Sequence, residues 1–247
     1  MSQVRKFTKI QAVAAVTLAV TLTGFLGGCS KMGAHNNNNM MGQSEVREQK
    51  TNPEALKVVD TIGQTSEAVY DDIRAEQWQQ ASEKLSYLKK ADDELKSSQL
   101  SKGSDQYVSR LTNDLDKQIQ EKKRVPAMES ANQLTRAAMD LGEPVEATLP
   151  KELSLLNYYG RELEIGALGN DKNKMHSATN DIKNIWPKLK PKVEAQGQTE
   201  KEAQFDQLVK KLEKAKSKEE YQQFATQILE QVDQMGGKFS KGGQQSG

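Results

Sequence analysis

The sequence predicts an all-α protein: about eight amphipathic helices forming four αα-hairpins, arranged as two tandem four-helix bundles. Three observations predict it. From about residue 51 to residue 235 the chain is rich in Ala, Leu, Lys, Glu and Gln, residues that cost little to place in a helix. Apolar side chains recur there at steps of three and four, the period of a half-buried helix and not of a strand. Proline, glycine and Ser/Thr-x-x-Glu signals punctuate the stripes at helix-length intervals. A short α-solenoid of stacked hairpins is the alternative architecture.

The elements follow in order. The first carries Ala55, Val59, Ile62, Ser66, Val69 and Ile73, and Pro53 sits in its first turn, where a missing N–H costs nothing. The second carries Trp78, Ala81, Leu85, Leu88 and Leu95. The third has Val108, Leu111, Leu115 and Ile119, and the fourth Ala127, Ala131, Leu134, Ala138 and Leu141. Pro150 opens the fifth, with Leu153, Leu156, Gly160, Leu163 and Ala167. Gly169-Asn170-Asp171 reads as a turn into the sixth, with Met175, Ala178, Ile182, Ile185 and Leu189. Pro187 and Pro191 should stop or kink that helix near Ile185 to Leu189, because each removes a donor and crowds the preceding turn. Thr199-x-x-Glu202 and Ser217-x-x-Glu220 have the form of capping boxes for the last two helices. Those helices carry Phe205, Leu208, Leu212 and Ala215, then Tyr221, Phe224, Ile228 and Val232.

The helical body reads as an internal duplication. The shift that lays Pro53 on Pro150 also lays Leu56 on Leu153, Ile62-Gly63 on Tyr159-Gly160, Ala81 on Ala178 and Leu85 on Ile182. Each unit then supplies two αα-hairpins, enough for one bundle, with the boundary in the loop from Gly142 to Thr148. The expected organisation is residues 51–142 for the first bundle, 146–235 for the second and 236–247 for a disordered Gly-rich tail. Residues 30–50 show no hydrophobic periodicity and include four consecutive Asn, which suits a flexible tether.

The chain starts differently. Arg5, Lys6 and Lys9 precede an uncharged run from Ile10 to Leu26, followed by Gly27, Gly28 and Cys29, the only cysteine. A basic start, an apolar centre and a small-residue end are the layout of a secretory signal peptide. At about 17 residues the run is at the short edge of what spans a bilayer. Leu26-Gly27-Gly28-Cys29 resembles the lipobox of bacterial lipoproteins. The resemblance implies cleavage between Gly28 and Cys29 and acylation of Cys29 with diacylglyceryl, then often with palmitate on the new amino group. It also implies residues 1–28 as signal peptide, 29–50 as acylated cysteine plus tether, and an extracytoplasmic, membrane-anchored location. Ser30 follows the cysteine where an Asp would imply retention at the inner membrane, so the expected site in a Gram-negative cell is the outer membrane.

Charge narrows the partners. The whole chain holds 35 Lys and Arg against 34 Asp and Glu, a formal charge of +1. Removing residues 1–28 takes away three bases and no acid, leaving about −2, which gives no electrostatic footprint for nucleic acid. With its single thiol acylated, the mature chain has none for disulfides or Cys metal sites.

Candidate chemistry is sparse. The two histidines are His35, in the tether, and His176, in the sixth helix. No Glu-x-x-His pair of the di-metal bundle type occurs, and no Cys-x-x-Cys-His. Met175 and His176 are weak candidates for a metal or a b-type haem, with Met128, Met139 and Met235 as other possible axial sulfurs. Methionine in an apolar stripe is ordinarily core filler. The most distinctive patch is Tyr158-Tyr159-Gly160-Arg161-Glu162-Leu163-Glu164. Gly160 in mid-helix costs about 1 kcal/mol relative to Ala, so it marks close helix packing, with Trp78 or Trp186 expected over it. Tyr158 and Arg161 are the candidate partner surface. The expected function is non-catalytic binding or scaffolding, with no cofactor; a haem- or metal-binding bundle is the alternative.

Overall fold

A computed structural model describes residues 53–98, 103–142 and 149–242. All the elements among them are helices: α1 (Pro53–Arg74), α2 (Trp78–Ser98), α3 (Ser104–Gln120), α4 (Arg124–Leu141), α5 (Lys151–Gly169), α6 (Lys172–Ala195), α7 (Thr199–Leu212) and α8 (Lys218–Gly242). The signal segment, Cys29 and the Asn-rich tether lie outside the described residues.

Each set of four closes on itself. α1 packs against α2 and α4, and α3 bridges α2 and α4. The same ring recurs with α5 against α6 and α8, and α7 between α6 and α8. In a stack of hairpins α1 would lie chiefly on α3; here its main neighbour across the chain is α4, the up-and-down bundle pattern. Two apolar cores result. Val59, Ile62, Val69, Leu85, Leu88, Leu115, Met128 and Leu134 belong to the first. Leu156, Leu163, Ile182, Leu189, Phe205, Leu212, Ile228 and Met235 belong to the second. Both cores lie within one compact unit, Glu48–Gly247.

The turns share a physical solution. After α1, α3, α5 and α6 the chain takes one left-handed residue: Glu76 (φ 58°), Lys122 (φ 53°), Asn170 (φ 55°) and Gly197 (φ 69°). In each case that residue's N–H returns to the carbonyl three back, and the next N–H returns to the carbonyl five back; Gln77 N to Asp72 O is 2.7 Å and Asp171 N to Gly166 O is 2.8 Å. This is the Schellman closure, which satisfies the last carbonyls of the helix and reverses the chain. α8 starts by the expected capping box. Glu220 Oε2 accepts from Ser217 N at 3.0 Å and Lys216 N at 2.7 Å, while Ser217 Oγ accepts from Glu220 N at 3.2 Å.

Three expectations need correction. α7 has no capping box: Gln198 is its N-cap, and Glu202 is buried and paired with Lys190 instead. α6 does not stop near Leu189 but continues through Pro187 and Pro191 to Ala195. The two prolines are four apart and exposed, so both rings lie on the solvent side of the helix. On the opposite face Trp186, Leu189 and Val193 are buried and hold the helix. Third, α8 passes Gly236 and Gly237 and reaches Gly242, where a disordered tail was expected. The stripe Val232, Met235, Phe239 continues at helical steps and packs into the second core, which outweighs the low propensity of glycine.

Candidate functional site

α5 is buried on two faces. Leu153, Leu156, Leu163 and Ala167 belong to the second core, whereas Ile165 inserts into the first with Leu168 beside it. Between these faces Arg161 and Glu164 are turned toward α1 and buried. The line where α5 meets α1 and α4 is therefore a polar seam between two apolar cores.

Its geometry is specific. Tyr70 Oη donates to Glu164 Oε2 at 2.7 Å, and Arg74 Nε donates to Glu164 Oε1 at 2.8 Å. The Arg161 guanidinium lies over the Tyr70 ring, 4.8 Å from its centroid. Arg161 Nη1 is 3.4 Å from Glu67 Oε1, an ion pair too poorly aligned to be a hydrogen bond, and this nitrogen has no hydrogen-bond partner. Toward α4, Asn132 Nδ2 donates to Glu162 Oε1 at 2.7 Å and to the Tyr158 carbonyl at 3.3 Å. Lys174 Nζ then joins Glu162 and Glu129, at 2.9 Å each. Glu67 pairs with Arg161 and Arg74 with Glu164, so α1 and α5 run in the same direction.

Arg74 pairs with Glu164 and Arg161 with Glu67, and the exposed Asp71 and Asp233 add like charge near Glu67. Burial pushes the Glu67 carboxyl up; Arg161 opposes this, while Asp71 and Asp233 add to it. Asp71 is raised for the same first reason, with Arg161 and Arg74 pulling down and Asp233 and Glu164 pushing up. Asp71 is exposed, so water screens the charges around it and limits how far it is raised. Tyr70 is driven well above the usual phenol range by burial and then by the Glu164 charge. For Arg74 burial works against the charge, but Glu164 outweighs it.

The sequence-predicted site residues are scattered. Gly28 and Cys29 lie outside the described residues. Arg161 is not on the surface as expected: it is 5 % exposed, because Tyr70 and Glu67 enclose it. Tyr158 is half-buried, edge-on to Tyr159 at 5.1 Å and under Arg136 at 5.7 Å. Neither tryptophan covers Gly160. A Cβ there would meet Leu229 Cδ2 at 2.9 Å and Ile228 Cγ2 at 3.1 Å, so the close approach is to α8. Gly63 makes the matching approach in the first bundle, toward Ala138 of α4.

Met175 is buried in the second core, whereas His176 is exposed with its ring 6.5 Å from Tyr221. Adjacent helical positions point apart, and the fold does not bring these two together. Met128 fills the first core, Met235 the second, and Met139 is half-buried. Among the described residues no group of three or more His, Cys, Asp or Glu is placed to hold a metal ion, and no helix is long and apolar enough to cross a membrane. Away from the seam, Tyr87 of α2 and Tyr107 of α3 are exposed, the latter under Arg110.

The seam was missed by stripe reading. Its signal was present: from Leu163 to Gly169 the only charge is Glu164, too few for a helix with one solvated face.

Comparison of the chain with family models, with curated proteins and with solved structures finds no match.

Proposed function

We propose that this chain is a lipid-anchored, extracytoplasmic protein whose helical body binds or scaffolds a protein partner without catalysis. The observation that carries the anchoring is Leu26-Gly27-Gly28-Cys29 behind a basic start and an uncharged run. Two or more acyl chains hold a protein stably at a bilayer, at about 0.8 kcal/mol for each buried CH₂. The binding reading draws support from the body. Its two cores are filled by aliphatic and aromatic side chains, and the buried Arg161 and Glu164 meet the half-buried Glu67 and Arg74 across a helix contact.

Mass spectrometry of protein extracted from membranes tests the anchor. The expected N-terminus is Cys29 carrying a diacylglyceryl group; an intact chain with unmodified Cys29 overturns it. The Cys29→Ala form is expected to remain uncleaved. Crosslinking in membranes, comparing wild type with Cys29→Ala, tests the partner. A product specific to the anchored form is expected, and identical products from both forms count against partner capture at the membrane.

A further inference from the structure

Because α1 and α5 run in the same direction and each helix reverses the one before it, four helix–helix turns lie at one end of the body: 75–77, 121–123, 170–171 and 213–217. Arg124 at the start of α4 donates to the Arg74 carbonyl at 2.7 Å, and a Cβ on Gly169 would meet Val125 Cγ1 at 3.5 Å, so neighbouring turns touch. α1, α3, α5 and α7 begin at the opposite end.

The two ends differ in charge, and helix propensity does not account for it. A helix N-terminus favours acids and disfavours cations. α1, α3, α5 and α7 follow that rule, with Glu54, Asp105, Glu152, and Glu200 with Glu202 in their first turns. α4 and α6 have no acid there. They are entered through Lys122-Lys123-Arg124 and through Lys172, and α8 through Lys216-Ser217-Lys218 ahead of its two glutamates. Lys210, Lys211 and Lys214 complete this face.

Most of these cations are uncompensated. Lys122, Lys172, Lys210, Lys211, Lys214 and Lys216 are exposed, and none has an ion-pair partner among the described residues. The acids in and beside the turns are already engaged. Asp72 pairs with Lys84, Glu76 with Arg124, Glu121 with Lys123 and Glu213 with Lys183. Asp171 caps α6, and Glu220 caps α8. Asp71 and Glu219 remain, two acids against those six lysines.

We propose that this lysine-rich end docks on the anionic surface of a bilayer and holds the body end-on to it. The lysines are spread over three turns of one end, which matches a plane of charge. Lysine is a hydrated point charge that answers a diffuse negative field, where arginine would clamp one group. The exposed large apolar side chains, Tyr87, Tyr107 and Leu149, lie outside these turns, so the face has no platform for stacking a nucleic-acid base. Length permits the docking. Residues 29–52 span at most about 80 Å when extended, against about 33 Å for the 22 residues of α1. A chain held at Cys29 can therefore turn its far end to the bilayer. The proposal rests on the anchored reading for the bilayer at hand; the docking itself is electrostatic and weakens with salt.

Lysine footprinting of the purified full chain tests it. An amine-acylating reagent is applied with vesicles of phosphatidylcholine, or of phosphatidylcholine plus phosphatidylglycerol, and each lysine's labelling is read by mass spectrometry. The apolar run before Cys29 meets both kinds of vesicle, so the difference between them reads the body's charged face. On anionic vesicles Lys211, Lys214 and Lys216 should label at least about threefold less than on neutral ones and recover in high salt. Lys57 and Lys188, at the other end, should keep their labelling. Each lysine held at an anionic surface contributes about fivefold in affinity. Lys211→Gln with Lys214→Gln and Lys216→Gln should therefore cut the protection of Lys122 and Lys172 at least about threefold. Lys57→Gln with Lys188→Gln and Lys201→Gln removes the same charge from the other end and should leave that protection in place. Equal protection at both ends, or none at either, overturns the docking. So do equal losses in the two triple variants, which would make net charge the cause. Protection by heparin in solution with none on vesicles would assign the face to a soluble polyanion and overturn the membrane reading. An unmodified Cys29 in cells would leave the footprint unchanged, so anchor and docking fail separately.

Discussion

The seam and the α6–α7 contact both place carboxylates beside cations at a helix interface, yet they tune those carboxylates in opposite directions. At α6–α7, Trp186 Nε1 donates to Asp206 Oδ1 at 2.5 Å, and Lys190 Nζ reaches Asp206 Oδ2 at 2.8 Å and Glu202 Oε1 at 2.5 Å. Burial alone would raise Asp206, but the bonds from Lys190 and Trp186 outweigh it and hold the carboxyl below its usual range. In the seam, burial outweighs Arg161 at Glu67, because their contact at 3.4 Å is too poorly aligned to be a hydrogen bond. Alignment sets the sign, not the mere presence of opposite charge.

The largest test of that contrast is Trp186→Ala. Trp186 is 4 % exposed and packs on Phe205 with ring centroids 4.5 Å apart. Its removal takes away core volume and one of the two donors to Asp206, so a loss of about 3–5 kcal/mol is expected in denaturant unfolding. A loss under about 1 kcal/mol would mean the α6–α7 network does not rest on this core contact. Next is Glu164→Ala, which strands the buried Tyr70 hydroxyl and unpairs Arg74. About 1–3 kcal/mol should be lost, most of it recovered from the hydroxyl's side when Tyr70→Phe is added. Strict additivity of the two changes would show that the bond at 2.7 Å contributes nothing.

A smaller effect separates the two regions by sign. Asp206 is lowered on folding, so its stabilisation is present above the ordinary carboxylate range and lost as pH falls through its folded value. Asp206→Asn should therefore cost stability at neutral pH, about 1 kcal/mol, and flatten the acid limb of the Tm–pH curve. Asp71 is raised, so Asp71→Asn should increase Tm at neutral pH and leave it nearly unchanged in acid. Variants that move Tm in the same direction at neutral pH would remove the contrast.

The fold was legible because it depends on stripe and punctuation. Val59, Ile62, Leu85, Leu115, Leu134, Ile182 and Leu212 are all core, as their spacing required. Legibility failed where one physical term had to be weighed against another. Pro187 and Pro191 predict a break only if nothing holds the helix on its other face, and Trp186, Leu189 and Val193 do. Gly236 and Gly237 predict an end only if nothing beyond them packs, and Phe239 does. The seam was hardest to see. Arg161 and Glu162 look like an exposed charged step on a helix until α1 and α4 are known to cover that side of α5. A stripe reports one partner, and α5 has two.

The smallest test carries the comparison into the first core itself. Ser66 of α1 is fully buried, between Ile62 and Val69 in sequence, and its Oγ has no hydrogen-bond partner. Thr112, Thr135 and Thr179, also buried, each donate back to the carbonyl four residues earlier, so the fold has an available way to satisfy such a hydroxyl. Ser66 does not use it and carries a desolvation cost with nothing returned. Ser66→Ala should then stabilise the chain by about 0.5–1 kcal/mol, from the removed hydroxyl and from better helix propensity. Unlike Asp71→Asn, it removes no titrating group, so the gain should be the same at every pH. A loss of stability would show that the hydroxyl is bonded in solution; a gain confined to neutral pH would place the origin of the seam's tuning in the packing of α1, not in its carboxylates.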